Sequence, residues 1–100
     1  MSRITVNERT FEIVKSSTKQ ADAIRWTLRG WYKDFEDLYE RPSETKREIY
    51  KDWRDWFTEV DGFIEGCTGN SMTFSIYGYI NIDGQMCPVQ ITKEHNRIVM

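Results

Sequence analysis

Apolar and polar side chains alternate along residues 3–14, which is the pattern of strands with one buried face. The apolar members are Ile4, Val6, Phe11 and Ile13. A two-residue turn at Asn7-Glu8 places Ile4 opposite Phe11, so that all four apolar side chains share one face. Asparagine tolerates the positive φ that such a turn requires. The alternation therefore predicts an N-terminal β-hairpin.

Between residues 18 and 62 the apolar residues recur in steps of three and four, which is the period of an α-helix. The first stripe consists of Ile24, Leu28, Trp31, Phe35 and Leu38. The second consists of Ile49, Trp53, Trp56 and Val60, with Phe57 beside it. Pro42 pushes the residue before it out of the helical region and separates the two helices. Ser43 is a natural N-cap for the second helix and Gly62 a natural C-cap. The short connection predicts an antiparallel αα-hairpin.

Alternation returns over residues 72–100 and predicts a β-meander. Asp83-Gly84 between alternating runs is typical of a type I′ hairpin turn. One face then carries Phe74, Ile76, Ile80, Ile82, Cys87, Val89 and Ile91. The other carries Ser75, Tyr77, Tyr79, Asn81, Gln90 and Thr92, and we expect it to face solvent. Pro88 has no N–H to donate, so we expect its strand at an edge or its nitrogen pointing outward. A turn near His95-Asn96 leads to a final strand over residues 97–100.

These elements follow one another in the order ββ-αα-βββ. An antiparallel sheet, made of the N-terminal β-hairpin and the C-terminal β-meander, would be covered on one face by the αα-hairpin, which is an α+β fold. The chain has 100 residues, of which 39% are hydrophobic and 14% aromatic, and this is sufficient for one core. We therefore expect a single α+β domain that spans residues 1–100.

The sequence holds few side chains suited to catalysis or metal binding. His95 is the only histidine, and Cys67 and Cys87 are the only cysteines. Cys87 falls on the apolar face of the meander, whereas Cys67 lies in a segment that the pattern indicates as a loop. A small hydrolase with a Cys67–His95 pair is the least favoured hypothesis, because nothing else in the sequence supports the pair. One histidine and two distant cysteines do not make a zinc site. The sequence therefore predicts a protein that is not an enzyme and binds neither metal nor cofactor.

Acidic side chains collect on one sector of the second predicted helix. At ~100° per residue, five carboxylates fall on one line of the helix surface. These are Glu44, Glu48, Asp52, Asp55 and Glu59, which we call the acidic ridge. The end of the first predicted helix adds Glu36, Asp37 and Glu40. Residues 33–65 carry eleven acids and six bases, a formal charge of −5, against +3 for the remaining residues. The plainer interpretation is a solvated surface that keeps the protein in solution; the functional one is a docking face.

Several aromatic residues fall outside the predicted core. Trp26 lies off the stripe of the first helix, and Tyr77 and Tyr79 project from the sheet face opposite the helices. Exposed Trp and Tyr are favoured at protein interfaces, and tyrosines on an open sheet can also stack nucleic-acid bases. Lys93 and Arg97 are the cations expected near that face.

The leading hypothesis is a non-enzymatic binding protein, an inhibitor or adaptor, whose acidic ridge docks on a basic surface of a partner protein. That surface is of a kind that also holds nucleic acid, and Trp26 would join the contact. Small inhibitors encoded by phages and other mobile elements share this size and acidity. The alternative is a single-stranded nucleic-acid-binding module that uses Tyr77 and Tyr79. The net charge of −2 gives no global attraction to nucleic acid or anionic lipid. No apolar run approaches the ~20 residues of a membrane span, and two separated cysteines favour a reducing cytoplasm.

Overall fold

The computed structural model describes residues 2–30, 43–69 and 73–100, which form six strands and two helices. The strands are β1 (Arg3–Val6), β2 (Arg9–Val14), β3 (Phe63–Gly69), β4 (Phe74–Ile82), β5 (Gln85–Ile91) and β6 (Asn96–Val99), and the helices are α1 (Lys19–Gly30) and α2 (Glu44–Glu59). The strands form one sheet in the order β1-β2-β6-β5-β4-β3. The fold is α+β, as predicted, but the sheet is mixed rather than antiparallel.

Both predicted two-residue turns are present. Asn7 and Glu8 have φ values of 45° and 71°, and Asp83 and Gly84 have values of 52° and 88°. Positive φ at both central residues matches the right-handed twist of the strands that a type I′ turn joins. The register on both hairpins is the predicted one. A short sequence signal was therefore sufficient to place these four strands in pairs.

β6 joins the two halves of the sheet, because it pairs with β2 on one side and with β5 on the other. Ile98 lies beside Ile13 of β2 and opposite Val89 of β5. β6 is antiparallel to β5 but parallel to β2, so the prediction of an antiparallel sheet is wrong at this contact. Alternation determines which face a residue takes, but not the direction of a neighbouring strand that is distant in sequence. Pro88 of β5 lies just outside the stretch that pairs with β6, which suits its missing N–H.

β3 is an edge strand in a segment that the sequence pattern indicated as a loop. It pairs antiparallel with β4, with a shift in register between Ile64 and Gly66. Gly66 and Gly69 weaken the strand propensity of the segment, because glycine has no side chain to pack and loses much conformational freedom. Pairing with β4 overrides that local preference, and it places Cys67 inside the sheet rather than in a loop.

The two helices lie on opposite faces of the sheet. Ala21 and Ile24 of α1 pack with Val14 and Val99, whereas α2 packs in the cluster that contains Ile98. Adjacent strand residues such as Ile98 and Val99 project to opposite faces. The prediction of an αα-hairpin on one face is therefore wrong for the described part of the chain. The stripe residues Trp31, Phe35 and Leu38 and the predicted break at Arg41-Pro42 lie outside the described residues.

The ends of α2 combine a predicted cap with an unpredicted one. Ser43 is the N-cap, as predicted, and its Oγ accepts a hydrogen bond from the backbone N–H of Lys46 at 3.2 Å. At the other end, Asp61 has a φ of 58°, so Asp61 and not Gly62 is the left-handed residue. Gly62 serves a different purpose: a Cβ there would collide with the carbonyl oxygen of Tyr79 in β4. The glycine allows the chain to pass close to the sheet as it enters β3.

Four aromatic rings dominate the core between α2 and the sheet. They belong to Phe11, Trp53, Trp56 and Phe57. The Trp56 ring is central, with its centroid 5.4 Å from those of Phe11 and Trp53 and 5.3 Å from that of Phe57. Its Nε1 donates a hydrogen bond of 3.1 Å to the carbonyl oxygen of Asn7. This cluster therefore attaches α2 to the turn between β1 and β2.

Candidate functional site

All five carboxylates of the acidic ridge are exposed. Trp53 and Trp56 direct one sector of α2 toward the sheet, and the ridge occupies a neighbouring sector that this packing leaves at the surface. Arg47, Lys51 and Arg54 are also exposed, on a third sector of the helix. The acidic ridge that the sequence predicts is therefore present on the surface of α2, on a sector separate from these three cations.

The β1–β2 turn lies against the ridge and binds two of its members. Arg9 Nη2 is 2.6 Å from Asp52 Oδ2, and Asn7 Nδ2 donates a hydrogen bond of 2.9 Å to Glu59 Oε2. The Arg9 guanidinium also stacks 4.0 Å from the centroid of the Trp53 ring. Asp52 and Glu59 thus have a structural role, and sequence reasoning missed it because their partners lie 43 and 52 residues away along the chain.

An acidic cleft of about 310 Å³ separates the turn from α2. Its lining residues are Asn7, Glu8, Arg9, Asp52, Asp55, Trp56 and Glu59. The four carboxylates and one guanidinium among these described residues carry a formal charge of −3. Glu8 contributes because the type I′ turn carries it toward α2. Within residues 2–30, 43–69 and 73–100, no three His, Cys, Asp or Glu side chains are grouped as metal ligands would be. The chemistry of the cleft favours an organic cation such as a lysine or arginine side chain.

The other predicted partner-binding residues are not brought to the ridge. Trp26 is 73% exposed on α1, and α1 covers the face of the sheet opposite to α2. Its predicted exposure is confirmed, but it does not adjoin the ridge. Glu36, Asp37 and Glu40 lie outside the described residues.

Tyr77 and Tyr79 do not form an open platform. Tyr77 is only 6% exposed, because α1 lies on this face, and the expectation that the face is solvated is wrong at this position. Its hydroxyl lies 3.2 Å from Gln90 Nε2, and Gln90 in turn accepts a hydrogen bond from Arg97. Tyr79 is half-buried, with its ring 5.3 Å from that of Phe63. A nucleic-acid base would have to displace this packing in order to stack on Tyr77.

Lys93 and Arg97, the cations assigned to that face, take different environments. Lys93 is exposed in the connection between β5 and β6. Arg97 is partly buried, and its Nε lies 3.9 Å from Glu12 Oε2. This Nε atom has no hydrogen-bond partner among the described residues. Arg97 is therefore linked to Tyr77 through Gln90 on the expected face, whereas Lys93 lies in the connection that follows β5.

Cys67 and His95 are too far apart to form a nucleophilic pair. Cys67 lies opposite Ile76, Ile76 opposite Ile91, and Ile91 opposite Asn96, the neighbour of His95. Three strand spacings correspond to ~14 Å. Cys67 is also 1% exposed, and it lies in β3, so its assignment to a loop is wrong.

We expect both thiols to be inert in the native protein. Cys67 and Cys87 are not joined by a disulfide and are 1% and 5% exposed, and burial raises the pKa of the Cys87 thiol. A thiol reagent attacks the exposed thiolate form, so a disulfide reagent such as Ellman's should label neither cysteine at pH 8 and both after denaturation in guanidinium. Rapid labelling of one thiol in the folded protein would contradict the burial of that residue.

Comparison of the chain with protein-family models, with curated proteins and with solved structures gives no match in any of the three. Neither described helix has the length and apolar character required to cross a membrane. The functional argument therefore depends on the surface of the molecule itself.

Proposed function

We propose that the protein is a non-enzymatic inhibitor or adaptor, and that the acidic ridge of α2 docks on a basic surface of a partner protein. The observation that carries the proposal is the row of five exposed carboxylates, continued by Glu8 across the acidic cleft. At 1.5 Å rise per residue the ridge is ~22 Å long, which is the dimension of a protein–protein contact rather than of a small-molecule pocket.

The charge arrangement supports a protein partner over nucleic acid. Carboxylates repel phosphate, so the face formed by the ridge and Glu8 disfavours direct binding of nucleic acid. A basic protein surface is attracted instead, and complementary charge accelerates the encounter of the two proteins. Like charges four residues apart destabilise a helix by a few tenths of a kcal/mol per pair, so the ridge lowers the stability of α2 where no cation compensates it. Docking on a basic surface would remove that repulsion.

We further propose that the protein works in a reducing compartment such as the cytoplasm. Cys67 and Cys87 lie on separate strands of one sheet face, and no disulfide joins them. Free buried cysteines are the common state in reducing compartments, whereas secreted domains of this size depend more often on disulfides.

The ridge is best tested at Glu48 and Asp55. Asp52 and Glu59 contact Arg9 and Asn7 of the β1–β2 hairpin, so reversing them would break these contacts as well as change the surface charge. We expect Glu48→Lys with Asp55→Lys to weaken capture of basic proteins from an extract of the source cell by about tenfold at low salt, mainly through a slower association rate. The loss should shrink as salt rises, because exposed charges more than a Debye length apart are screened. Quantitative mass spectrometry of the captured proteins, with kinetics on the recovered partner, measures both effects.

The matched control is Asp22→Lys with Glu94→Lys, which changes the net charge equally at exposed sites off α2. It should leave capture unchanged. Equal loss in both double variants would show that net charge, and not the ridge, governs binding. Tight binding of the wild-type protein to single-stranded oligonucleotides, unaffected by the ridge reversal, would instead favour the nucleic-acid alternative.

A further inference from the structure

A groove of about 1010 Å³ runs between the first turns of α2 and one end of the sheet. Ile49 and Trp53 line it from the helix, and Phe74, Ile76 and Ile91 line it from β4 and β5. Ile49 is 43% exposed and Phe74 is half-buried, so part of this apolar floor is accessible. The groove is separate from the acidic cleft, and Trp26, Phe63 and Met86 do not belong to it.

The charge of this groove is opposite to that of the ridge. Among the described residues that line it, Lys46, Lys93 and Arg97 stand against one carboxylate, Glu94, which gives this part of the lining a formal charge of +2 with His95 neutral. Arg97 is partly compensated by Glu12, at 3.9 Å from its Nε. Lys93 is exposed and is therefore the cation most available to a ligand. An apolar floor with a cationic rim complements a ligand that has apolar side chains beside carboxylates.

Hydroxyl groups among the apolar residues indicate what kind of ligand this is. Thr45 and Ser75 also line the groove. A hydrocarbon chain would leave these donors and acceptors unpaired, whereas the N–H and C=O groups of a peptide backbone can bond to them. A polypeptide ligand therefore fits this lining better than a fatty acid does.

We infer that the groove is a second docking site, and that it takes an acidic amphipathic segment of a partner protein. Apolar side chains of the segment pack on Ile49 and Phe74, and its carboxylates reach Lys93. This inference is independent of the proposed role of the ridge, because the two surfaces attract partners of opposite charge. An adaptor with both surfaces can hold a basic and an acidic partner at once.

Selection from a random peptide display library on the immobilised full chain tests the inference without a known partner. We expect the enriched peptides to combine spaced apolar residues with an excess of Asp and Glu. A synthetic enriched peptide should bind Ile49→Gln and Lys93→Glu at least about tenfold more weakly than the wild type, since truncating a central anchor of an interface commonly has that effect. Fluorescence anisotropy of the labelled peptide gives the affinities, and circular dichroism confirms that each variant is folded.

Two controls match these variants. Met86→Gln changes an apolar residue that is 40% exposed at the other end of β5, and Lys15→Glu reverses an exposed cation before α1. Both should bind the peptide as the wild type does. The inference is overturned if no acidic peptides are enriched, or if the controls lose as much affinity as the groove variants. Enrichment of basic peptides alone, with binding lost in Glu48→Lys with Asp55→Lys, would support the ridge and overturn the groove.

Discussion

Trp56→Ala should lower the free energy of unfolding by about 3–5 kcal/mol, the cost of large aromatic truncations in cores. The Trp56 ring is 4% exposed and contacts the rings of Phe11, Trp53 and Phe57. Its Nε1 donates a hydrogen bond to the carbonyl oxygen of Asn7. Truncation removes the ring contacts, leaves a cavity and frees that carbonyl group. Since domains of this size have ~5–15 kcal/mol of stability in total, the substitution should remove a large fraction of it and clearly lower the melting temperature.

The matched control is Trp26→Ala, which removes the same side chain from a position that is 73% exposed. Surface substitutions of this kind are usually within ~0.5 kcal/mol of the parent. Urea denaturation followed by circular dichroism gives both values on one scale. Trp56→Phe should lose less stability than Trp56→Ala, because it keeps one aromatic ring while it loses the Nε1 donor and the second ring of the indole. If Trp56→Ala and Trp26→Ala melt at the same temperature, Trp56 is not a core residue and the register of α2 is incorrect.

The local signals in the sequence were sufficient for the hairpins and for α2. Asn7-Glu8 and Asp83-Gly84 have the backbone preferences of two-residue turns, and each turn determines the register of its own pair of strands. Ser43 marks the start of α2 for a similar reason, since its side chain bonds to the helix that follows it. These features depend on residues a few positions apart, and short sequence patterns describe such contacts well.

The sequence did not determine how distant elements meet. The parallel contact of β2 with β6 joins segments about 85 residues apart, and no hairpin turn constrains their direction. The sequence does contain a signal for the sheet face that α1 covers. Val14 and Val99 are apolar residues on that face, and they pack with Ala21 and Ile24 of α1. β3 had no comparable signal, because its glycines resemble a loop until β4 pairs with them.

The candidate site also combines features that local sequence predicts with contacts that only the fold reveals. The acidic ridge follows from the helical period alone, and its exposure follows from the position of the tryptophans on α2. The contacts that divide the ridge into structural and available carboxylates come from the β1–β2 turn, and only the fold shows them. The groove depends on three elements that the sequence pattern did not place together. Sequence therefore predicted the charge of the surface but not which of its members are available to a partner.

Gly78→Ala should be the most destabilising small substitution in the sheet. Gly78 of β4 lies opposite Val89 of β5 and beside Ile64 of β3. An added Cβ would lie well inside contact distance of the Phe63 carbonyl oxygen, and it would also be 3.0 Å from Cε1 of Phe57. The carbonyl belongs to the backbone of the neighbouring strand and cannot rotate away, so β3 itself must move.

Forcing an extra group into a packed core costs about 1–3 kcal/mol, and we expect Gly78→Ala at the upper end of that range because the obstacle is backbone. Gly84→Ala is the comparison: nothing lies within 4 Å of its added Cβ, but its φ of 88° makes alanine strained, which costs roughly 1–2 kcal/mol. Gly84→Asn should recover part of that loss, since asparagine tolerates positive φ, whereas any side chain at position 78 meets the same backbone carbonyl of Phe63. Chemical denaturation of the three variants measures the order. A Gly78→Ala protein as stable as the parent would show that β3 does not lie as close to β4 as the structure places it.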